Sequence, residues 1–175
     1  MERLWLNVGL KRSLRANNDF SYHFISLTTC LICQTNFPNN TVRLINNEKT
    51  NLHSLTSKVS FVSFWATWCI PCIKEIDKLN EFIDDYEDVS VILINEDKPG
   101  DKAKVKGFVR SRKYPIDDNY HIIFDSDQKL SRQFNAQPIP LTLILKNNEV
   151  VYRKRGFYLG DEIELKKQLD DALND

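Results

Sequence analysis

Val59 to Trp65 (VSFVSFW) is an uncharged, almost wholly apolar run that leads through Ala66-Thr67-Trp68 directly into Cys69-Ile70-Pro71-Cys72. A run of this kind reads as a strand buried on both faces at the centre of a sheet. Beyond Cys69, the residues Ile73, Ile76, Leu79, Ile83 and Tyr86 recur at steps of three and four, the period of an amphipathic helix expected to run to about Tyr86. Pro71 falls in the first turn of that helix, where a missing N–H costs nothing. The chain therefore has to place both cysteines where a buried strand hands over to a helix.

The remaining pattern supplies the surroundings. Thr41 to Ile45 is an expected strand, followed by a turn at Asn46, Asn47 and Lys49. Downstream come an expected strand at Val89 to Ile94, a polar turn through Pro99 and Gly100, a helix near Lys102 to Lys113 and a strand at His121 to Phe124. A short helix near Gln128 to Phe134 and a strand at Leu141 to Leu145 follow. A turn at Asn147 and Asn148, a strand at Val150 to Arg153 and a helix from about Asp161 to Leu173 close the chain. Strands alternating with helices and a closing hairpin predict an α/β fold with a mixed, mainly parallel sheet covered on both faces.

The 175 residues, 42% of them hydrophobic, accommodate one compact domain and a short appendage. The division expected is a segment 1–35 and a domain 36–175. Lys plus Arg number 24, as do Asp plus Glu, so no global field recruits nucleic acid, which is not expected as a partner. Arg3, Lys11, Arg12 and Arg15 precede an uncharged stretch from Phe20 to Cys33. That is the layout of an export signal or anchor, too short and too polar for a membrane-spanning helix. An added strand, a disordered arm or a start codon assigned upstream of the true one would also account for it. Leu27-Thr28-Thr29-Cys30 faintly resembles a lipoprotein processing site, although Thr29 is a poor residue before a modified cysteine.

The four cysteines form two pairs of equal spacing, Cys30/Cys33 and Cys69/Cys72. The first pair has neither Trp nor Pro nor a strand-to-helix junction around it, and reads as incidental to the export segment. For the second, the positive end of the helix dipole and the free backbone N–H groups stabilise a thiolate on Cys69. A fall in thiol pKa from about 8.5 to about 7 corresponds to roughly 2 kcal/mol of thiolate stabilisation. Cys72, one turn further on, would then be the shielded thiol that resolves a mixed disulfide. A zinc half-site is the competing reading, but zinc needs about four ligands and His23, His53 and His121 are scattered. No metal is expected.

Trp65-Ala66-Thr67-Trp68-Cys69-Ile70-Pro71-Cys72 resembles the active-site segment of thioredoxin-like proteins, and its wording is most similar to the exported TlpA/ResA-type thiol-disulfide reductases. The likeness extends over about Asn36 to Leu173. Gln137-Pro138-Ile139-Pro140-Leu141-Thr142 resembles the family's loop in which a cis-proline faces the cysteine pair, and Pro140 is the matching position. The resemblance implies a thioredoxin-like fold with an extra strand-helix insertion between Val89 and Pro140 and an N-terminal strand extension. It implies catalysis by Cys69 and Cys72 with Pro140 beside them, and substrate binding by Trp68, Ile70, Pro71 and the backbone of Ile139. One departure matters: where thioredoxins usually carry a buried Asp six residues before the first cysteine, this chain has Ser63. In the TlpA/ResA-type group a carboxylate just after the next strand often takes the proton of the second cysteine. Glu96 and Asp97 are the candidates here, Asp97 the better register match; lining an exposed turn is the alternative for both.

The activity implied is reduction of disulfides in exported proteins, such as apocytochrome c, in the periplasm or another extracytoplasmic space. A membrane thiol donor would restore the dithiol, no cofactor beyond the Cys69–Cys72 disulfide is required, and a monomer is expected. An oxidant or isomerase of exported thiols uses the same residues, because Ile70-Pro71 does not set a potential. A peroxide-reducing enzyme on a related scaffold would need Thr three residues before the attacking cysteine, where Ala66 stands. A thiol-based metal chaperone calls for a C-x-x-x-C spacing and a partnering His, and His121 reads as a strand residue.

Overall fold

The computed structural model describes residues 36–174. The expected export segment and the Cys30/Cys33 pair lie outside them. Strands β1 (Thr41–Arg43) and β2 (Lys49–Asn51) form an antiparallel hairpin of their own. The main sheet contains β3 (Val59–Trp65), β4 (Val89–Asn95), β5 (Tyr120–Phe124), β6 (Leu141–Lys146) and β7 (Glu149–Arg155), in the order β5-β4-β3-β6-β7. The helices are α1 (Ile70–Asn80), α2 (Lys102–Arg112), α3 (Lys129–Gln133) and α4 (Asp161–Asn174).

The uncharged run lies where its composition demands. β3 is the central strand, and every one of its residues is buried. Its alternate side chains feed two cores, as the period of two in a strand requires. Phe61 and Trp65 join Ile76 and Leu79 of α1, Val105 and Val109 of α2, and Leu165 and Leu169 of α4 on one face. Val62 and Phe64 join Phe37, Val42, Leu130 and Phe134 on the other. The sheet is thus mixed and flanked by helices, with the β1–β2 hairpin as the N-terminal strand extension.

Two expectations need correction. The sheet is not mainly parallel: β3 pairs parallel with β4 and β4 with β5, whereas β6 runs antiparallel to β3 and β7 antiparallel to β6. The chain returns after β5 through the short α3 and a proline loop, so β6 enters beside β3 from the opposite end. The β6–β7 connection is the expected hairpin, with Asn147 and Asn148 both at positive φ (50° and 66°), a backbone that Asn tolerates and tight hairpins require. The second correction concerns α1, which ends at Asn80 instead of continuing to Tyr86. A separate 3₁₀ turn covers Ile83–Asp85, and because Ile83 and Tyr86 still pack on the same core, the apolar spacing survives the break.

Candidate active site

Cys69 is the N-cap of α1, with extended backbone (φ −88°, ψ 96°), and its Sγ accepts the Cys72 N–H at 3.3 Å. A sulfur in the place of a capping oxygen takes up one of the helix's unpaired donors and sits at the positive end of the dipole. Pro71 lies in the first turn, where no N–H partner is lost. Cys69 and Cys72 are joined in a disulfide. Their burial differs: Cys69 is 5% exposed and Cys72 fully enclosed, so an incoming sulfur reaches Cys69 first. Trp68 and Ile70 flank it at 61% and 66% exposure, and Pro71 is exposed as well. These exposed apolar side chains bracket Cys69.

The proline loop carries two cis peptide bonds, Gln137–Pro138 and Ile139–Pro140. Pro140 is cis as the resemblance implies; the bond before Pro138 was not anticipated. Pro140 is buried and its carbonyl accepts the Gly156 N–H at 2.8 Å. Ile139 is partly buried against both cores. No hydrogen bond among the described residues engages its backbone.

Glu96 and Asp97 follow β4 and are both buried, which excludes the exposed turn. Asp97 accepts the Thr67 N–H (2.7 Å), the Thr67 hydroxyl (2.6 Å) and the Asn95 side-chain amide (2.8 Å). Its carboxylate is therefore committed to the loop that delivers Cys69. Glu96 accepts from the Gln137 side-chain amide, which ties β4 to the proline loop. Burial holds the Glu96 carboxyl above its ordinary range, opposed by hydrogen bonding from Ser131 and Gln137. Asp97 thus braces the loop before Cys69, and Glu96 braces the proline loop.

A carboxylate that sequence reasoning missed lies in the core one turn of α1 beyond Cys72. Glu75, three residues after Cys72 and so on the same face of α1, is 1% exposed. The Ser63 hydroxyl donates to its Oε2 at 2.6 Å, and the Thr142 hydroxyl donates to its Oε1. Ser63 and Thr142 stand opposite each other in the β3–β6 register. Burial raises the Glu75 pKa to about 7, with the two hydroxyl hydrogen bonds working the other way. A group titrating there takes or gives a proton readily at neutral pH. The available signal was a glutamate among the core positions Cys72, Ile76 and Leu79 of an amphipathic helix.

Phe108 and Tyr114 from the α2 region pack against Trp65, one tilted and the other edge-on, with ring centroids 5.9 and 6.3 Å away, and back the strand that carries the motif. Among the described residues no group of three or more His, Cys, Asp or Glu side chains could hold a metal ion. No helix among them is long and apolar enough to cross a membrane.

A family model described as the AhpC/TSA family matches residues 33–154, well over half of the chain. The chain belongs to the AhpC/TSA family. Solved structures show that its fold is thioredoxin-like. A thioredoxin-like protein from Porphyromonas gingivalis is 26% identical, with a TM-score of 0.67 over 79% of this chain and 92% of that one. A candidate thiol:disulfide interchange protein DsbE from Chlorobium tepidum is 21% identical, with a TM-score of 0.68 over 79% and 96%. A secreted Mycobacterium tuberculosis disulfide oxidoreductase, homologous to E. coli DsbE, is 17% identical, with a TM-score of 0.63 over 76% and 96%. A search of curated proteins finds no match.

Proposed function

We propose that this AhpC/TSA-family chain is a thiol-disulfide oxidoreductase that reduces disulfides of exported proteins. The observation that carries the reading is a disulfide at the N-terminus of α1 in which Cys72 is fully enclosed and Cys69 less so, with a buried glutamate one turn beyond Cys72. In the reduced protein the Cys69 thiolate attacks a substrate disulfide, forming a mixed disulfide and expelling one substrate thiolate. Cys72 then gives its proton to Glu75 and attacks the Cys69 sulfur. The second substrate thiolate leaves, and the Cys69–Cys72 disulfide remains. A dithiol donor, expected at the membrane, returns both electrons.

The extracytoplasmic setting is supported by the basic-then-apolar N-terminus and by a secreted oxidoreductase among the structural neighbours. Cysteines of apocytochrome c are one substrate class consistent with it. Pro140 and Ile139 would hold the substrate chain while Trp68, Ile70 and Pro71 contact it. The experiment is covalent trapping: Cys72→Ser is expected to accumulate mixed disulfides through Cys69, and Cys69→Ser to accumulate none. Equal trapping by both variants, or by neither, overturns the assignment of attacking and resolving sulfur.

A further inference from the structure

Ser63, Thr142 and Lys154 form one row across three adjacent strands. Ser63 pairs with Thr142 in the β3–β6 register, and Thr142 pairs with Lys154 in the β6–β7 register. Directly opposed residues project from the same face of a sheet, and here that face is the one covered by α1 and α4. The first two members of the row donate to Glu75. The third ends in an ammonium whose Nζ lies 2.6 Å from Asp161 Oδ1, with the two side chains only 27% and 22% exposed. Asp161 opens α4 and also accepts the Tyr158 N–H at 2.8 Å, so α4 and β7 jointly fix where the ammonium sits.

We propose that the Lys154–Asp161 ion pair positions charge against Glu75 and thereby sets how readily that carboxylate takes the proton of Cys72. The inference rests on Glu75 being the proton acceptor. Lys154 favours the charged carboxylate and Asp161 disfavours it, and both directions appear among the influences on Glu75. Other charged groups lie on the same packed elements: Lys78 of α1 pairs with Glu81 at 2.8 Å, and Glu162 of α4 adds negative charge near it. Tyr152 lies two residues before Lys154 on β7, opposite Ile144, and Glu164 of α4 adds negative charge near Tyr152 and Lys154. On α1 itself Lys74 is exposed, while Asp77 is taken by Arg112 and Tyr114. The low exposure of the pair limits the screening that makes ordinary surface pairs inert.

The two members pull in opposite directions, which separates this role from a purely structural one. The test follows the Glu75 carboxyl by NMR titration and the pH dependence of mixed-disulfide resolution, in the full chain and in Lys154→Met, Asp161→Asn, Lys154→Arg and Glu75→Gln. Lys154→Met is expected to move the Glu75 titration and the rate profile alkaline by about half a pH unit or more, and Asp161→Asn to move them acid by a similar amount. Lys154→Arg should retain the native profile. If both neutralising variants shift the titration the same way, or neither shifts it, the pair is only a clamp between β7 and α4 and the inference fails. Loss of the inflection in Glu75→Gln upholds Glu75 as the acceptor. Its persistence removes that role, while the NMR titration still reports separately whether the pair acts on the carboxyl.

Discussion

Asp97 holds Thr67 twice, once through the backbone N–H at 2.7 Å and once through the hydroxyl at 2.6 Å. The loop that carries Cys69 is thereby fastened to the end of β4, and the same carboxylate also takes the Asn95 amide. Asp97→Ala leaves the buried Asn95 amide and the partly buried Thr67 donors without this partner, and a loss of about 2–4 kcal/mol is expected from urea unfolding. Asp97→Asn retains one acceptor and should lose less. Neither change should abolish the pH inflection of resolution; if Asp97→Asn does so, the proton acceptor is Asp97 and not Glu75.

Glu75 gives a stability prediction with a defined sign. Its carboxyl titrates at about 7 in the folded chain against an ordinary 4.5, so between those values the folded state holds the proton that the unfolded state has released. The associated stability is complete below about pH 4.5 and is lost as the pH rises through about 7. At about 1.4 kcal/mol per pKa unit the full loss is roughly 3 kcal/mol. Glu75→Gln cannot titrate and should gain on the parent by that order between pH 5 and pH 8. A stability difference that stays constant across this range contradicts ionisation of Glu75 in the core.

Trp68 is 61% exposed beside Cys69, so its truncation creates no cavity. Trp68→Ala should leave the unfolding midpoint nearly unchanged while raising the KM for an oxidised cysteine-containing peptide about tenfold, the scale of one aromatic contact. A fall in kcat with unchanged KM would place Trp68 in the chemical step instead of in docking.

The direction of electron flow is read from the equilibrium potential of the Cys69/Cys72 pair, titrated in defined thiol buffers. The proposed reductant should lie near or below about −250 mV, whereas a value near about −120 mV marks an oxidant of exported thiols.

Much of this was legible in the chain alone because it depends on local chemistry. An uncharged run has to be buried on both faces, which put β3 at the sheet centre. A proline after Ile70 and a helical apolar period put the N-terminus of α1 at Cys69. The paired asparagines at 147 and 148 marked the hairpin. Other features depend on which distant segments meet. The end of α1 was hidden because Ile83 and Tyr86 keep the apolar spacing beyond the last helical turn. The antiparallel entry of β6 was hidden because an apolar strand pattern does not encode direction.

The cysteine pair, its strand-to-helix setting and the proline at 140 were readable from the chain alone, since each is written in neighbouring residues. The burial of three carboxylates, Glu75, Glu96 and Asp97, came only with the tertiary fold. Glu96 and Asp97 are both buried after β4, where Gln137 bonds one carboxylate oxygen of Glu96 and Thr67 bonds Asp97. Glu75 acquires its character from Ser63 and Thr142, twelve and sixty-seven residues away in the chain. Burial and hydrogen bonding set a carboxyl's proton affinity, and both are properties of the assembled core.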